Sequence, residues 1–270
     1  MRYCVIGSAL LIVTWLLVTW LHCGTIFAEN NVERVDPETF SYDERLQYVV
    51  SYLGIRIGTV EILNRHNPND TGTINETIIS MQTFSGVPFL SVYTEFFSKR
   101  GEDGYFTTSA TFDRKRNEWA YYYATRDTNS TTIIVDRGYK DREDGSISDV
   151  EIDTLNPEKY VHDALTFISI LRDSAHTENY YELDMLIDRE IQTLRVEPPG
   201  GREKIDVRAF NEEREAFHTS GVLEFEGIHG LSRRYQTWIS TDDRRIPVKA
   251  RVRIAIGSVK IRLEEYEYIR

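Results

Sequence analysis

The residues best equipped for chemistry in this chain are Asp242, Asp243, Arg244 and Arg245, four consecutive charges between two alternating strands. At a sheet rim they could hold an anion or a partner. The same four fit a plain turn, with Asp242 accepting from turn amides and the arginines solvated or paired. Nearby, Trp238 offers a ring for stacking on a ligand, although an aromatic on a strand face is ordinarily core. Arg172, at the end of an apolar helical run, complements the helix dipole. If a sheet curled over that end, Arg172 would clamp a carboxylate or a phosphate headgroup. Tyr121 and Tyr123 share one face of a strand and Tyr122 takes the other, so one aromatic face is left to line a cavity or a partner surface. Trp238, Arg172, Tyr121 and Tyr123 are therefore the expected ligand-binding residues.

Nothing in the sequence names a reaction. His66, His162, His176, His218 and His229 are scattered, with no pair at helical zinc spacing, so no metal is expected. There is no Gly-x-Ser-x-Gly elbow, phosphate loop or dinucleotide fingerprint, and no cofactor is expected. His162 and Asp163 are adjacent, point in different directions on a helix, and do not make an acid–base pair. Acidic residues are too abundant for any carboxylate pair to mark a glycosidase site. No catalytic residue is assigned, and the expectation is a protein that is not an enzyme.

The elements that must position these side chains are mostly strands. Leu46, Tyr48, Val50 and Tyr52 share one face, Gly54 marks a bend, and Ile57 to Leu63 continues as a partner. Strand-like runs recur at 73–83, 92–98, 105–113, 119–125 and 131–137, then at 180–187, 191–197, 204–210, 222–225, 234–240, 248–256 and 259–268. Gly257 and Ser258 fit a two-residue hairpin. Residues 138–153, rich in Asp, Glu and Gly, read as an exposed connection, and 211–215 as a mobile flap. One segment changes period: Asn156 as cap, Pro157 in the first turn, and Val161, Ala164, Leu165, Ile168 and Leu171 at helical spacing predict an amphipathic helix over 157–172.

Arg2 followed by the apolar run Val5–Leu21, with Ile26, Phe27 and Ala28 before Glu29, predicts a secretory signal peptide over residues 1–28, with an uncleaved anchor as the competing reading. Cys23 follows Trp20, Leu21 and His22, which is no lipoprotein box. Both cysteines, Cys4 and Cys23, fall in this segment, so no disulfide framework is expected beyond it. Residues 29–42 form a polar, loose lead-in, and 43–270 a single β-rich domain. The net charge of −11 disfavours nucleic acid and anionic lipid headgroups as general partners, while leaving room for a local basic face.

Several separated pieces resemble the bacterial family catalogued as domain of unknown function 3108. Tyr48–Ile62, with Gly54 and Gly58, is similar to its opening hairpin; Asp163–Arg172 is similar to its central helix. Trp238–Val248, containing Asp242, Arg245 and Pro247, then Gly257 and Ser258, resembles its closing hairpins. The chain departs from the pattern between Arg195 and Phe210. The resemblance implies an exported, mainly β protein: a large antiparallel curved sheet, or an open or partly closed barrel, around one helix, like periplasmic lipoprotein carriers. It implies no activity. The expected function is an extracytoplasmic protein holding a hydrophobic or amphipathic, lipid-like ligand in a concave sheet. The alternatives are an envelope scaffold that binds a protein through strand edges or aromatic patches, and a hydrolase.

Overall fold

A computed structural model describes residues 34–269 except 67–71, 88–90, 178–179, 188, 224–233 and 254–256. The expected signal segment with its two cysteines lies outside the described residues, as does His229. Eight strands form a meander: β1 (Glu44–Tyr52), β2 (Ile55–His66), β3 (Thr73–Thr83), β4 (Tyr93–Gly101), β5 (Phe106–Arg114), β6 (Glu118–Arg126), β7 (Ile133–Asp141) and β8 (Ile147–Leu155). Helix α1 (Ala164–Ser174) follows. The chain then returns through β9 (Tyr181–Ile187), β10 (Glu190–Val196), β11 (Arg202–Val207), β12 (Glu212–Leu223), β13 (Arg234–Ser240), β14 (Pro247–Arg253) and β15 (Ser258–Tyr268). All join one antiparallel sheet in the order β8 to β1, then β15, β14, β13, β12, β10, β9, with β11 paired to β12. The first and last strands thus meet in its middle, Tyr48 opposite Leu263.

The sheet is large, antiparallel and not closed, and it wraps around α1, the one α-helix among the described residues. Its two edges approach at one end, where Arg189 after β9 pairs with Asp153 of β8 at 2.9 Å. Val161 and Leu186 pack there against Phe106, Ala124, Ile133 and Val135. Strand pairing puts Leu46, Ile62 and Ile79 on one face, the face that holds Leu165 and Ile168 of the helix. Leu63, Ile78, Phe97, Ala110 and Tyr123 take the other. That outer face is covered by the segment before β1: Val35, Phe40 and Tyr42 pack on it, Arg34 pairs with Glu95 and its guanidinium lies 4.6 Å from the Trp119 ring centroid. The described part of the lead-in, expected to be loose, is therefore a packed strap. Gly58 in β2 is required by close approach, since a Cβ there would sit 2.3 Å from the Gln82 carbonyl oxygen.

Four local expectations need correction. The helix begins at Ala164, not 157, because the preceding backbone is taken by a tertiary bridge. The His162 N–H donates to the Asp184 carbonyl and the His162 carbonyl accepts from Leu186 N–H, both at 2.8 Å. Asn156 accepts from the Thr132 hydroxyl at 3.0 Å instead of capping, and Asp163 caps through Oδ1 from Thr166 N–H at 2.8 Å. Residues 138–153 are not a connection but the end of β7 and most of β8, an edge strand whose exposure explains its acidic composition. Residues 211–215 are not a flap: β12 begins there, pairing Arg214 with Ile205. Ser258 is not a turn residue: it opens β15, opposite Arg253.

Candidate functional site

Inward positions of β1, β2 and β3, set by the alternation of side chains along a strand, meet one face of α1 without filling the space between. A cavity of about 430 Å³ remains, within the range of small-molecule pockets, roughly 300–1,000 Å³. Leu46, Tyr48, Ile62, Ile79, Leu165 and Ile168 make an apolar floor. Its rim is polar: Asn64, Asn75, Thr77 and Arg100 from the sheet, Ser169, Arg172 and Asp173 from the helix, and Asp243, Arg244 and Arg245 from the β13–β14 turn.

A buried ion pair frames this cavity. Arg172 donates through both terminal nitrogens to the Glu44 carboxylate at 2.7 and 2.9 Å. Glu44 is 2% exposed and also accepts from the Asn64 amide at 2.8 Å and the Tyr266 hydroxyl at 3.2 Å. Asn64 in turn accepts from Thr77 at 2.7 Å. Burial opposes the charge on Glu44, but the Arg172 hydrogen bonds outweigh it and hold the carboxyl below its ordinary range. Arg172 further donates to the carbonyls of Arg244 and Arg245 at 2.9 and 3.1 Å, while Arg245 donates to the carbonyl of Asp173 at 2.7 Å. The Tyr48 hydroxyl donates to the Pro247 carbonyl at 2.9 Å. Helix, β1 and β13–β14 turn are thereby tied into one frame, and Arg172 is occupied as its brace rather than free to clamp a ligand.

Other rim groups have capacity to spare. The Arg100 guanidinium stands 3.5 Å from Asp173, yet its Nε is buried without a hydrogen-bond partner, as is Asn75 Oδ1. Arg244 is exposed, its guanidinium 4.9 Å from the Tyr268 ring centroid and 5.6 Å from that of Tyr266. Burial pushes the Tyr266 hydroxyl up to about 12, so it stays protonated and a donor.

Of the residues expected to bind ligand, only Arg172 borders the cavity, joined by Arg245 and Pro247 from the resembling hairpin. Trp238 does not: it is buried, donates from Nε1 to Glu203 at 2.8 Å, stacks on His218 with centroids 4.6 Å apart, and lies under the Lys249 ammonium. Tyr121 and Tyr123 sit on the outer face under the strap, with the Tyr121 hydroxyl bonded to Asp136 at 3.0 Å. Asp163 caps the helix, and Asp242 accepts from Ser240 and Arg214 at 2.9 and 2.8 Å. Gly54 and Gly257 lie in turns with φ of +86° and +81°. Sequence reasoning passed over Glu44 and Asn64. Their signal was available: Glu44 lies in phase with Leu46 and Tyr48, and a carboxylate on the dry face of a strand requires a buried cation.

A second polar group lies where the sheet edges approach. His162 stacks on Tyr105 at 4.4 Å, and the Arg126 guanidinium lies 4.9 Å from the Tyr160 ring centroid and pairs with Asp103 at 2.5 Å. Burial, reinforced by Arg100, pushes the His162 imidazole down to about 4 and keeps it neutral. His162 does not line the cavity. Among the described residues no three His, Cys, Asp or Glu are grouped to hold a metal, and no helix is long and apolar enough to cross a membrane.

Comparison with known proteins agrees with this architecture. The chain is similar to a solved beta-barrel-like protein of domain of unknown function DUF1849 from Brucella abortus, with a TM-score of 0.58 and 9% identity over 84% of this chain and 98% of that one. At that identity the likeness concerns the fold. No curated protein matches. The model of the family described as protein of unknown function (DUF3108) matches residues 47–264, and the chain belongs to that family.

Proposed function

We propose that this protein is an extracytoplasmic binding protein that holds an amphipathic molecule, its apolar chain on the cavity floor and its polar head at the rim. One observation carries the reading: an apolar floor of Leu46, Ile62, Ile79, Leu165 and Ile168 lies beneath a rim where Arg100 Nε and Asn75 Oδ1 are buried and unpartnered. An apolar cavity favours an apolar occupant, and buried polar atoms without partners are ready to bond to one with a polar end. The apolar segment Val5–Leu21 supports the compartment. The test is titration with a fluorescent long-chain fatty acid. Saturable one-to-one uptake, weakened by Arg100→Ala and displaced by unlabelled fatty acid, supports the reading. Uptake that neither saturates nor responds to Arg100→Ala refutes it.

A second reading, an envelope scaffold, is favoured by the free edge of β8. There Val150 and Ile152 are 37 and 40% exposed, beside Ile134 of β7 at 46%, and an edge strand can accept a partner's strand. Capture of a strand-donating partner that is lost with Ile152→Lys supports it, and an unchanged interaction refutes it.

A further inference from the structure

The end of the sheet opposite the cavity rim carries an oddity in the β1–β2 turn. Tyr52 pairs with Ile55, so Leu53 and Gly54 form a two-residue hairpin loop with φ of +49° and +86°. That loop type favours Asn, Asp or Gly at its first position because an L side chain is strained there. A bulky leucine held in such a conformation is an observation that asks for a function. Leu53 is 65% exposed and Ile55 68%, the two highest values among the described large hydrophobics. Phe84, 38% exposed, stands beside them, its N–H donating to the Ile57 carbonyl at 3.0 Å.

Behind this apolar tip, the outer face of the neighbouring strands is cationic, against the chain's net charge of −11. Arg251 is opposite Lys260, and Lys249 opposite Arg262; Arg253, opposite Ser258, is nearest the turn. Cross-strand neighbours stand about 5 Å apart, where like charges repel. The repulsion registers at Lys249, whose ammonium is held below its ordinary range by burial and by the charges of Arg251 and Arg262. Among the described residues Arg251, Arg253, Lys260 and Arg262 have no carboxylate partner, and Arg251 Nε is buried without a hydrogen bond.

We propose that this end of the molecule docks on an anionic lipid bilayer, Leu53, Ile55 and Phe84 entering the interface while Arg251, Arg253 and Lys260 meet the phosphate headgroups. Single apolar side chains on projecting turns flanked by cations suit a soft anionic interface. β1 runs from this tip to Glu44 at the cavity, nine residues or about 30 Å at the usual rise per residue. Docking therefore turns the cavity rim away from the bilayer, toward a donor or acceptor on the far side. The surface stands whether or not the cavity holds a ligand.

The test is co-sedimentation of the full chain with phosphatidylcholine vesicles, with and without phosphatidylglycerol, at low and high salt. Attachment at least ~10-fold stronger to the anionic vesicles and weakened by salt is expected. Leu53→Asn suits the left-handed turn, so it should leave the melting temperature unchanged or higher while cutting attachment ~10-fold. Ile55→Asn reads the same tip from an ordinary strand position, and Arg251→Glu with Lys260→Glu should abolish the preference for anionic lipid. Attachment indifferent to lipid charge and to Leu53 would belong to the apolar leader and overturn the proposal. Duplex DNA bound as tightly as vesicles, with Leu53→Asn without effect, would mark a generic polyanion surface and overturn it equally.

Discussion

The two sides of helix α1 are packed in opposite ways. Toward β9, β10 and β13, Phe167 and Leu171, with Ala175 just past the helix end, pack against Met185, Leu194, Val196, Tyr235 and Ile239, and the crevice beside Leu171 and Val196 is too tight for a water molecule. Toward β1–β3 it presents Leu165, Ile168, Ser169 and Arg172, and the cavity of about 430 Å³ remains. The side chains differ: Phe167 and Leu171 on the filled side, Ser169 and Arg172 on the other, with Arg172 bonded to Glu44. An unfilled apolar wall forfeits dispersion contacts that tight packing would supply. The Glu44–Arg172 brace ties the helix to β1 beside this cavity, which the proposed function takes as the room for a ligand.

The brace is where the contrast breaks most easily. Glu44→Ala leaves Arg172 buried without its carboxylate and should lower stability by about 3–5 kcal/mol in urea unfolding. Glu44→Gln combined with Arg172→Met should recover most of that loss. A loss under about 1 kcal/mol in the single variant would mean that the brace does not hold the helix.

Next, Leu171→Ala on the filled side should cost about 2–5 kcal/mol, the range for opening a new void. Ile168→Ala, which enlarges a void already present, should cost roughly half as much. Equal losses would erase the difference between the two sides. Ser169→Phe fills the cavity and should shift stability by less than about 1 kcal/mol while abolishing fatty-acid uptake. Retained uptake would place the ligand elsewhere.

The smallest effect concerns pH and His162, which precedes the helix, is bridged to Met185 of the filled side and feels the charge of Arg100 at the cavity rim. His162 protonates at about 4 in the folded chain, below its ordinary value of 6.5, so the unfolded chain takes up its proton first. Stability from this group is complete above pH 6.5 and declines as pH falls from 6.5 toward 4. His162→Phe should flatten the melting temperature over that window. Glu44, depressed in the fold, contributes above its ordinary carboxylate range and loses that contribution at still lower pH.

The strands were readable because their alternation is local: Leu46, Tyr48 and Val50 declare a face without reference to anything distant. The helix start was not, since the His162 bridge to Met185 is tertiary and displaced the cap that Asn156 and Pro157 offered. β8 was hidden by its place at the edge, where exposure permits the acidic composition of a loop. The cavity was legible only in part. Arg172 stood out at the helix end, but its partner Glu44 lies 128 residues away, and no local pattern joins them. Trp238 drew notice by its type, and it became core because Glu203 and His218 satisfy it from strands β11 and β12.

The most direct test of the central claim is native mass spectrometry of the protein purified from its own cells, run beside Ser169→Phe. A discrete bound mass that disappears on organic extraction and is missing from Ser169→Phe is the predicted result. An unliganded mass for both proteins that persists after incubation with a lipid mixture, or an adduct retained by Ser169→Phe, would contradict it.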